Sequence, residues 1–176
     1  MTPDPDTYVA MLEDLDSEVG RVLDSLKHHD LEQNTLVIFV SDNGGFAPAA
    51  HMGPLRGAKS TTLEGGIRVP LIMRWPGKLP AGQESSQVCA TFDLTRSILN
   101  LTKANVSNRQ LEGIDIVQHL MNRKPNITRT LFWRGKRGER TWSAVRDGNL
   151  KFVRKTEDRT EEWLFDLSKD LAEETD

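Results

Sequence analysis

Residues 36–40 (LVIFV) form an unbroken apolar, largely β-branched run that stops at Asp42-Asn43-Gly44-Gly45. Bounded by turn formers, such a run fits a strand buried on both faces, as in a parallel sheet covered by helices. A strand is predicted over 35–41. In α/β sheets ligands bind outside the carboxyl ends of strands, so Asp42 and Asn43 would sit on that rim. A carboxylate beside an amide oxygen is a hard donor pair, suited to Ca²⁺ or Mg²⁺; zinc would favour His or Cys. Asp-Asn-Gly is equally a common turn. After a Pro/Ala/Gly loop comes GPLRGAKSTTLEGGIRVP. It presents Lys59 among Gly57, Ser60, Thr61 and Thr62, where an ammonium could reach an anionic ester. Alone, Lys59 also fits a solvated loop lysine. Glu64-Gly65-Gly66 before Arg68 predicts a tight turn into the next strand, with the glycines serving backbone conformation. No Walker or Rossmann glycine pattern occurs.

The flanks predict an α/β arrangement. Over residues 8–28, Tyr8, Leu12, Leu15, Val19, Val22 and Leu26 recur at spacings of three and four, which predicts an amphipathic helix. Pro3 and Pro5 precede it and mark its upstream limit. His28-His29 fits a solvated cationic helix end better than a metal site, because adjacent helix positions do not face each other. Residues 69–75 (VPLIMRW) predict a second strand, closed by Pro76-Gly77. Residues 92–103 predict a helix with Asp93 as N-cap. After about Leu120 the texture changes. Short β-prone runs at 130–134, 141–146, 150–154 and 162–166 predict a small antiparallel sheet. Asp147-Gly148 between two of them is a strong hairpin signal. Pro125 and the basic residues 134–140 are expected at the joint or in loops. The organisation expected is an α/β part over residues 1–120 and an antiparallel subdomain over 121–176.

Composition narrows the function classes. A chain of 176 residues can bury roughly 70% of its unfolded surface. A formal net charge of −3 gives no reason to expect nucleic acid as a partner. No run approaches the ~18 apolar residues of a membrane span, and the acidic, polar MTPDPDTYVAM start is not a signal peptide. The single cysteine, Cys89, lies in an apolar VCAT setting and reads as a buried, inert thiol. His51 is a lone loop histidine, a candidate general acid with a bland alternative. Asn100, Asn105 and Asn126 each begin an Asn-x-Ser/Thr triplet, a glycosylation acceptor only on a eukaryotic secretory route.

Taken together, YVAMLEDLDSEVGRVLDSL, NTLVIFVSDNGG, PLRGAKSTTLEGGIRVPLIMRWPG, FDLTRSILNL, LEGIDIVQHL, SAVRDGNLKFVRK and EWLFDLSKD resemble the second half of the sulfatase family, in the same order. That family lies within the alkaline-phosphatase-like superfamily. The resemblance implies part of an α/β/α sandwich followed by a small C-terminal antiparallel subdomain. It implies hydrolysis of a sulfuric ester, with a sulfated small molecule or sulfated sugar as substrate. It implies that Asp42 and Asn43 bind a divalent cation, Ca²⁺ ahead of Mg²⁺, and that Lys59 binds the sulfate and serves catalysis. The family's nucleophile is a formylglycine made within a C/S-x-P-x-R motif. Cys89 is followed by Ala-Thr-Phe, so that motif is absent from this chain. The family's early paired aspartates are absent too. The chain is therefore expected to be inactive alone, and to have the N-terminal part of the same protein as its partner. Family members are often secreted, lysosomal or periplasmic. A related phosphodiesterase or phosphonate hydrolase, and a non-catalytic pseudo-sulfatase, remain open readings of the same residues.

Overall fold

The computed structural model describes residues 4–105 and 110–176. Helix α1 (Pro5–His28) opens on Asp4, whose carboxylate accepts the Thr7 N–H at 2.9 Å, and closes on Lys27 and His28. Pro5 lies inside the helix and not upstream of it. A proline at the first helical position loses no hydrogen bond and brings a helical φ. Of the predicted apolar stripe of α1, Leu12, Leu15 and Val22 are exposed and Tyr8, Val19 and Leu26 half-buried; Val9 and Met11, outside the stripe, are exposed too, and no residue of the helix is buried.

After a short 3₁₀ turn at Glu32–Asn34, strand β1 (Val37–Val40) pairs with β2 (Leu71–Arg74). The pairing is antiparallel, with Val37 opposite Arg74 and Val40 opposite Leu71. This corrects the expectation of a strand buried on both faces. Phe39 is exposed and the rest of β1 is half-buried, because this two-stranded ribbon has only one neighbour per strand. Glu64-Gly65-Gly66 is also not a turn: it begins the short helix α2 (Glu64–Ile67).

Helix α3 (Thr91–Leu101) does not use Asp93 as N-cap. The N-cap is Ala90, and Asp93 lies three residues inside. There its fully buried carboxylate accepts the N–H groups of Ala90 at 2.7 Å and Ile114 at 2.8 Å, and meets the Arg129 guanidinium at 2.6 Å. One side chain thus ties α3 to the loop before α4 (Ile116–Met121) and to the approach to the C-terminal sheet.

That sheet runs β3 (Thr130–Arg137), β4 (Arg140–Asp147), β5 (Leu150–Thr156) and β6 (Thr160–Asp166) as an antiparallel meander. The Asp147-Gly148 hairpin forms as predicted, with Gly148 at φ 58° and Asp147 opposite Leu150. The basic residues 134–137 are strand, not joint, and only Gly138-Glu139 turns. Alternation along β4 to β6 sends Trp142, Ala144, Val153 and Phe165 inward, where they form a core with Leu63 and Leu167.

Lys151 shares that inward phase and is fully buried. Its ammonium lies 2.8 Å from Glu64 and 2.8 Å from Glu173, both fully buried. Glu173 also accepts the Glu64 backbone N–H at 2.6 Å, and its carbonyl oxygen accepts from Arg56 at 2.6 Å. Burial pushes the Glu173 carboxyl upward, and the Lys151 ammonium opposes the shift. Removing the cation from such a cluster leaves Glu173 buried with no cation and Glu64 with only Arg146 and Arg68, at 3.6 and 3.5 Å, a loss of about 3–5 kcal/mol. Lys151→Met should therefore lower the unfolding free energy by about that amount in urea denaturation. A loss below about 1 kcal/mol would show that the cluster does not hold the sheet in place.

Candidate functional site

The polypeptide enters the site from β1. Ser41 lies just past the last paired residue of β1, Val40, and its hydroxyl donates to the Asn43 carbonyl at 2.8 Å. Asp42 is exposed and Asn43 half-buried, and both line a long open cleft of about 1840 Å³. Ser60, Thr61, Thr62, Glu64 and Arg68 line the same cleft. Lys59 is exposed beside Ser60 and is not itself in the lining. Its backbone N–H donates to the Gly45 carbonyl at 3.0 Å, so the loop of Lys59 is pinned two residues after Asn43. The structure thus brings the segments bearing Asp42, Asn43 and Lys59 together through their main chains.

Glycine makes that approach possible. The Gly44 N–H donates to Gly66 at 2.9 Å, and the Gly65 N–H donates to Arg56 at 2.7 Å. A Cβ on Gly44 would collide with the Gly65 carbonyl, one on Gly65 with Gly57, and one on Gly66 with Thr61. Gly65 and Gly66 do not have positive φ. They are required by contact between backbones, and not by backbone conformation as the residue pattern implied. Gly57, at φ 83°, and Ser60, at φ 79°, supply the left-handed bends between which Lys59 is presented.

Asp42 and Asn43 could hold a hard cation through oxygen atoms. Among the described residues, no group of three or more His, Cys, Asp or Glu side chains is placed to hold a metal ion. The donor types fit Ca²⁺, which takes about six to eight oxygens, and this pair accounts for two ligand residues. His51 is exposed, and its Nδ1 accepts the Gly53 N–H at 3.1 Å. His29 lies at the helix end, where its ring meets the Ser25 carbonyl at 2.8 Å. Asn100 and Asn126 are exposed, and their amides donate to Asp115 and Ser86. The triplet at Asn105 runs into residues outside the described ones. No described helix is long and apolar enough to cross a membrane.

Sequence reasoning missed Glu64, Lys151 and Glu173 as the support of this site. The available signal was the position of Lys151 on the inward phase of its strand, level with Val153. Cys89 lines the cleft in a half-buried setting, and burial, then the Asp93 carboxylate, push its thiol upward.

A family model described as Sulfatase matches residues 2–104, and one described as N-sulphoglucosamine sulphohydrolase, C-terminal, matches residues 58–176. Arylsulfatase G of Rattus norvegicus is 34% identical over 140 residues, which are 71% of this chain and 26% of that protein. N-acetylgalactosamine-6-sulfatase of Canis lupus familiaris is 34% identical over 134 residues, 73% of this chain and 26% of that protein. The solved structure of Ps i-CgsB in complex with k-i-k-neocarrahexaose superposes with a TM-score of 0.88 at 30% identity, covering 100% of this chain and 39% of that one.

Two measurements check the site. Gly44→Ala should destabilise the protein by on the order of 2–3 kcal/mol, because the Gly44–Gly65 approach leaves no room for a methyl group; a stability unchanged in urea denaturation would contradict it. Cys89 should react with a disulfide reagent several-fold more slowly than free cysteine at pH 8, since its thiolate is disfavoured. A faster reaction would contradict the raised thiol pKa. The chain spans about a quarter of the curated relatives it matches, and with both models together matching residues 2–176, it belongs to the sulfatase family.

Proposed function

We propose that this chain forms one wall of the active site of a sulfuric-ester hydrolase. Asp42 and Asn43 contribute two ligands to a divalent cation, Ca²⁺ ahead of Mg²⁺. Lys59 binds the sulfate group and offsets the charge that develops on its oxygens during ester cleavage. The observation that carries this reading is the backbone lock. Gly44 to Gly66 and Lys59 to Gly45 hold the strand-end rim and the lysine loop in one rigid piece. Rigid placement is what an electrostatic site needs, since donors fixed in advance do not reorganise during reaction.

A bound divalent cation would supply Lewis-acid polarisation of the sulfate. This chain's own residues would bind and orient. Lys59 meets the anion, and Ser60 and Thr61 keep its loop bent beside the cleft. In this reading residues 1–120 carry the rim and residues 121–176 brace it through Lys151 and Glu173. The nucleophile is not among these 176 residues, since none stands in a C/S-x-P-x-R motif. A sulfated sugar is the proposed substrate. The names of the N-acetylgalactosamine-6-sulfatase relative and of the complex with neocarrahexaose support it.

The 176-residue protein should show no calcium-dependent turnover of p-nitrophenyl sulfate; turnover would overturn the assignment of this chain as one wall. Titration calorimetry should find weak Ca²⁺ binding that Asp42→Ala abolishes. It should also find N-acetylgalactosamine 6-sulfate binding that Lys59→Ala weakens about tenfold, the loss of one charge-assisted contact. Undiminished binding by both variants would overturn the roles of Asp42 and Lys59.

A further inference from the structure

Glu173 holds the Lys59 loop at both ends. The loop departs at Arg56 and returns at Glu64-Gly65, where the Gly65 N–H donates to the Arg56 carbonyl at 2.7 Å. Lys59 lies between, at the bends of Gly57 and Ser60. On the departing side, the Arg56 guanidinium donates to the Glu173 carbonyl oxygen at 2.6 Å. On the returning side, the Glu64 N–H donates to the Glu173 carboxylate at 2.6 Å. One residue, 117 positions from Arg56 and 109 from Glu64, therefore staples the base of the loop through its main chain and its side chain at once. The Arg56 guanidinium also lies over the Trp163 ring of β6, 5.9 Å from its centroid.

The staple is made against local preference. Glu173 has φ 55°, in the left-handed region that a residue with a side chain enters only at a cost. Strained backbone of this kind persists where surrounding contacts impose it. Those contacts are few. Within residues 170–176 Glu173 alone is buried, and Glu174, Thr175 and Asp176 are exposed. The Asp170 carboxylate accepts the N–H groups of Glu174 at 3.1 Å and Thr175 at 2.9 Å, and Asp176 accepts the Leu164 N–H at 2.6 Å. An open hollow of about 510 Å³, lined by Pro54, Leu55, Arg56, Ala172 and Glu174, runs between this segment and the start of the loop. The two are joined by hydrogen bonds more than by packing. A segment with so little buried apolar surface opens locally more readily than the sheet beside it. Leu171 of the same segment lines the cleft that Asp42 and Asn43 line.

We propose that residues 170–176 are a clasp on the Lys59 loop, with Glu173 as a positioning residue for Lys59: the closed clasp fixes the bend that presents the ammonium, and an anion held at Lys59 keeps the clasp closed. This rests on the reading of Lys59 as the sulfate contact. The clasp opens without stranding the buried ammonium, because Lys151 keeps Glu64 at 2.8 Å when Glu173 leaves. Once open, the loop retains its main-chain bonds to Gly45 and across its base but loses the tie between Arg56 and Glu64. Linkage makes the coupling reciprocal: the factor by which closure tightens anion binding is the factor by which the anion favours closure.

Amide hydrogen exchange of the 176-residue protein, with and without N-acetylgalactosamine 6-sulfate, tests it beside titration calorimetry of the same sugar. Arg56→Ala changes an exposed residue and leaves the buried ions in place. It should speed exchange of the Glu64, Glu174 and Thr175 N–H groups about tenfold and weaken the sugar about fivefold, with β4 and β5 amides within about twofold of wild type. Glu173→Ala should do the same. Glu173→Gln, which keeps an oxygen for the Glu64 N–H, should restore exchange and affinity to within about twofold. In the unsubstituted protein, saturating sugar should slow exchange at Glu64, Glu174 and Thr175 about fivefold, and Lys59→Ala should abolish that slowing. Unchanged exchange at these three positions in both Arg56→Ala and Glu173→Ala overturns the clasp. Faster exchange there with sugar affinity intact overturns its coupling to Lys59. Equal acceleration of the β4 and β5 amides in Arg56→Ala shows general loosening and overturns the positioning role. Sugar affinity indifferent to Lys59→Ala, with the loop still loosened by the clasp variants, overturns the Lys59 reading and the coupling built on it while the clasp stands.

Discussion

The contact on which the structure depends is the buried ammonium of Lys151 between the carboxylates of Glu64 and Glu173. Three charged side chains with almost no solvent contact are a poor source of net stability, because each was taken out of water to get there. What they impose is position. Lys151 belongs to β5, Glu64 opens α2, and Glu173 lies near the end of the chain. An apolar cluster in the same place could slide by a rotamer or two. Charged hydrogen bonds of 2.8 Å tolerate little displacement, so the C-terminal sheet has one seat on the loop segment and no near alternative. Arg146, at 3.6 Å from Glu64, and Arg68, at 3.5 Å, complete the charge balance from the half-buried and exposed sides.

Glu64 carries that fixed position into the site. It begins the Glu64-Gly65-Gly66 turn of helix, and those glycines touch the backbone at Gly44, Gly57 and Thr61. The line of force therefore runs from the core of the sheet to Glu64, through glycine contacts with no side chain to yield, to the loops that bear Asn43 and Lys59. A site whose polar groups lie on loops is ordinarily mobile. Here the loops are held by main-chain hydrogen bonds at 2.7 to 3.0 Å and by the buried ions beneath them.

What the sequence shows of this depends on how local each signal is. The C-terminal sheet is legible because its hairpins are local: β-prone runs, short turns and an Asp147-Gly148 pair specify a meander with little help from distant residues. The strand ending at Asp42 is legible for the same reason. The pairing of β1 with β2 is not, because the residues between the strands carry no hairpin geometry and the apolar run fits parallel and antiparallel neighbours alike. Asp93 looks like an N-cap by composition, yet its oxygens take the N–H of the true N-cap, Ala90, and are claimed from other segments by the Ile114 N–H and the half-buried Arg129. The glycines of residues 65–66 are visible as glycines; their reason, backbones pressed together across the site, lies in tertiary contact. Glu64 and Lys151 are 87 residues apart, and no local pattern connects them.

Helix α1 shows the opposite balance. Its stripe of Tyr8, Leu12, Leu15, Val19, Val22 and Leu26 is what the spacing predicts, yet none of it is buried. The helix is sustained by its ends and surface: the Asp4 cap, Pro5 at the first position, the Glu18–Arg21 pair at 2.7 Å, and Lys27 and His28 against the C-terminal dipole. Such terms amount to a few tenths of a kcal/mol to about 1 kcal/mol each, enough to favour a 24-residue helix but not to fix its place. Periodicity therefore specifies that α1 is a helix and which face would pack. The position of α1 relative to the cleft is a separate matter, decided by burial, and burial is what the stripe lacks here. The C-terminal sheet and the α2 segment have theirs, which is why they frame the site, and no residue of α1 lines the cleft.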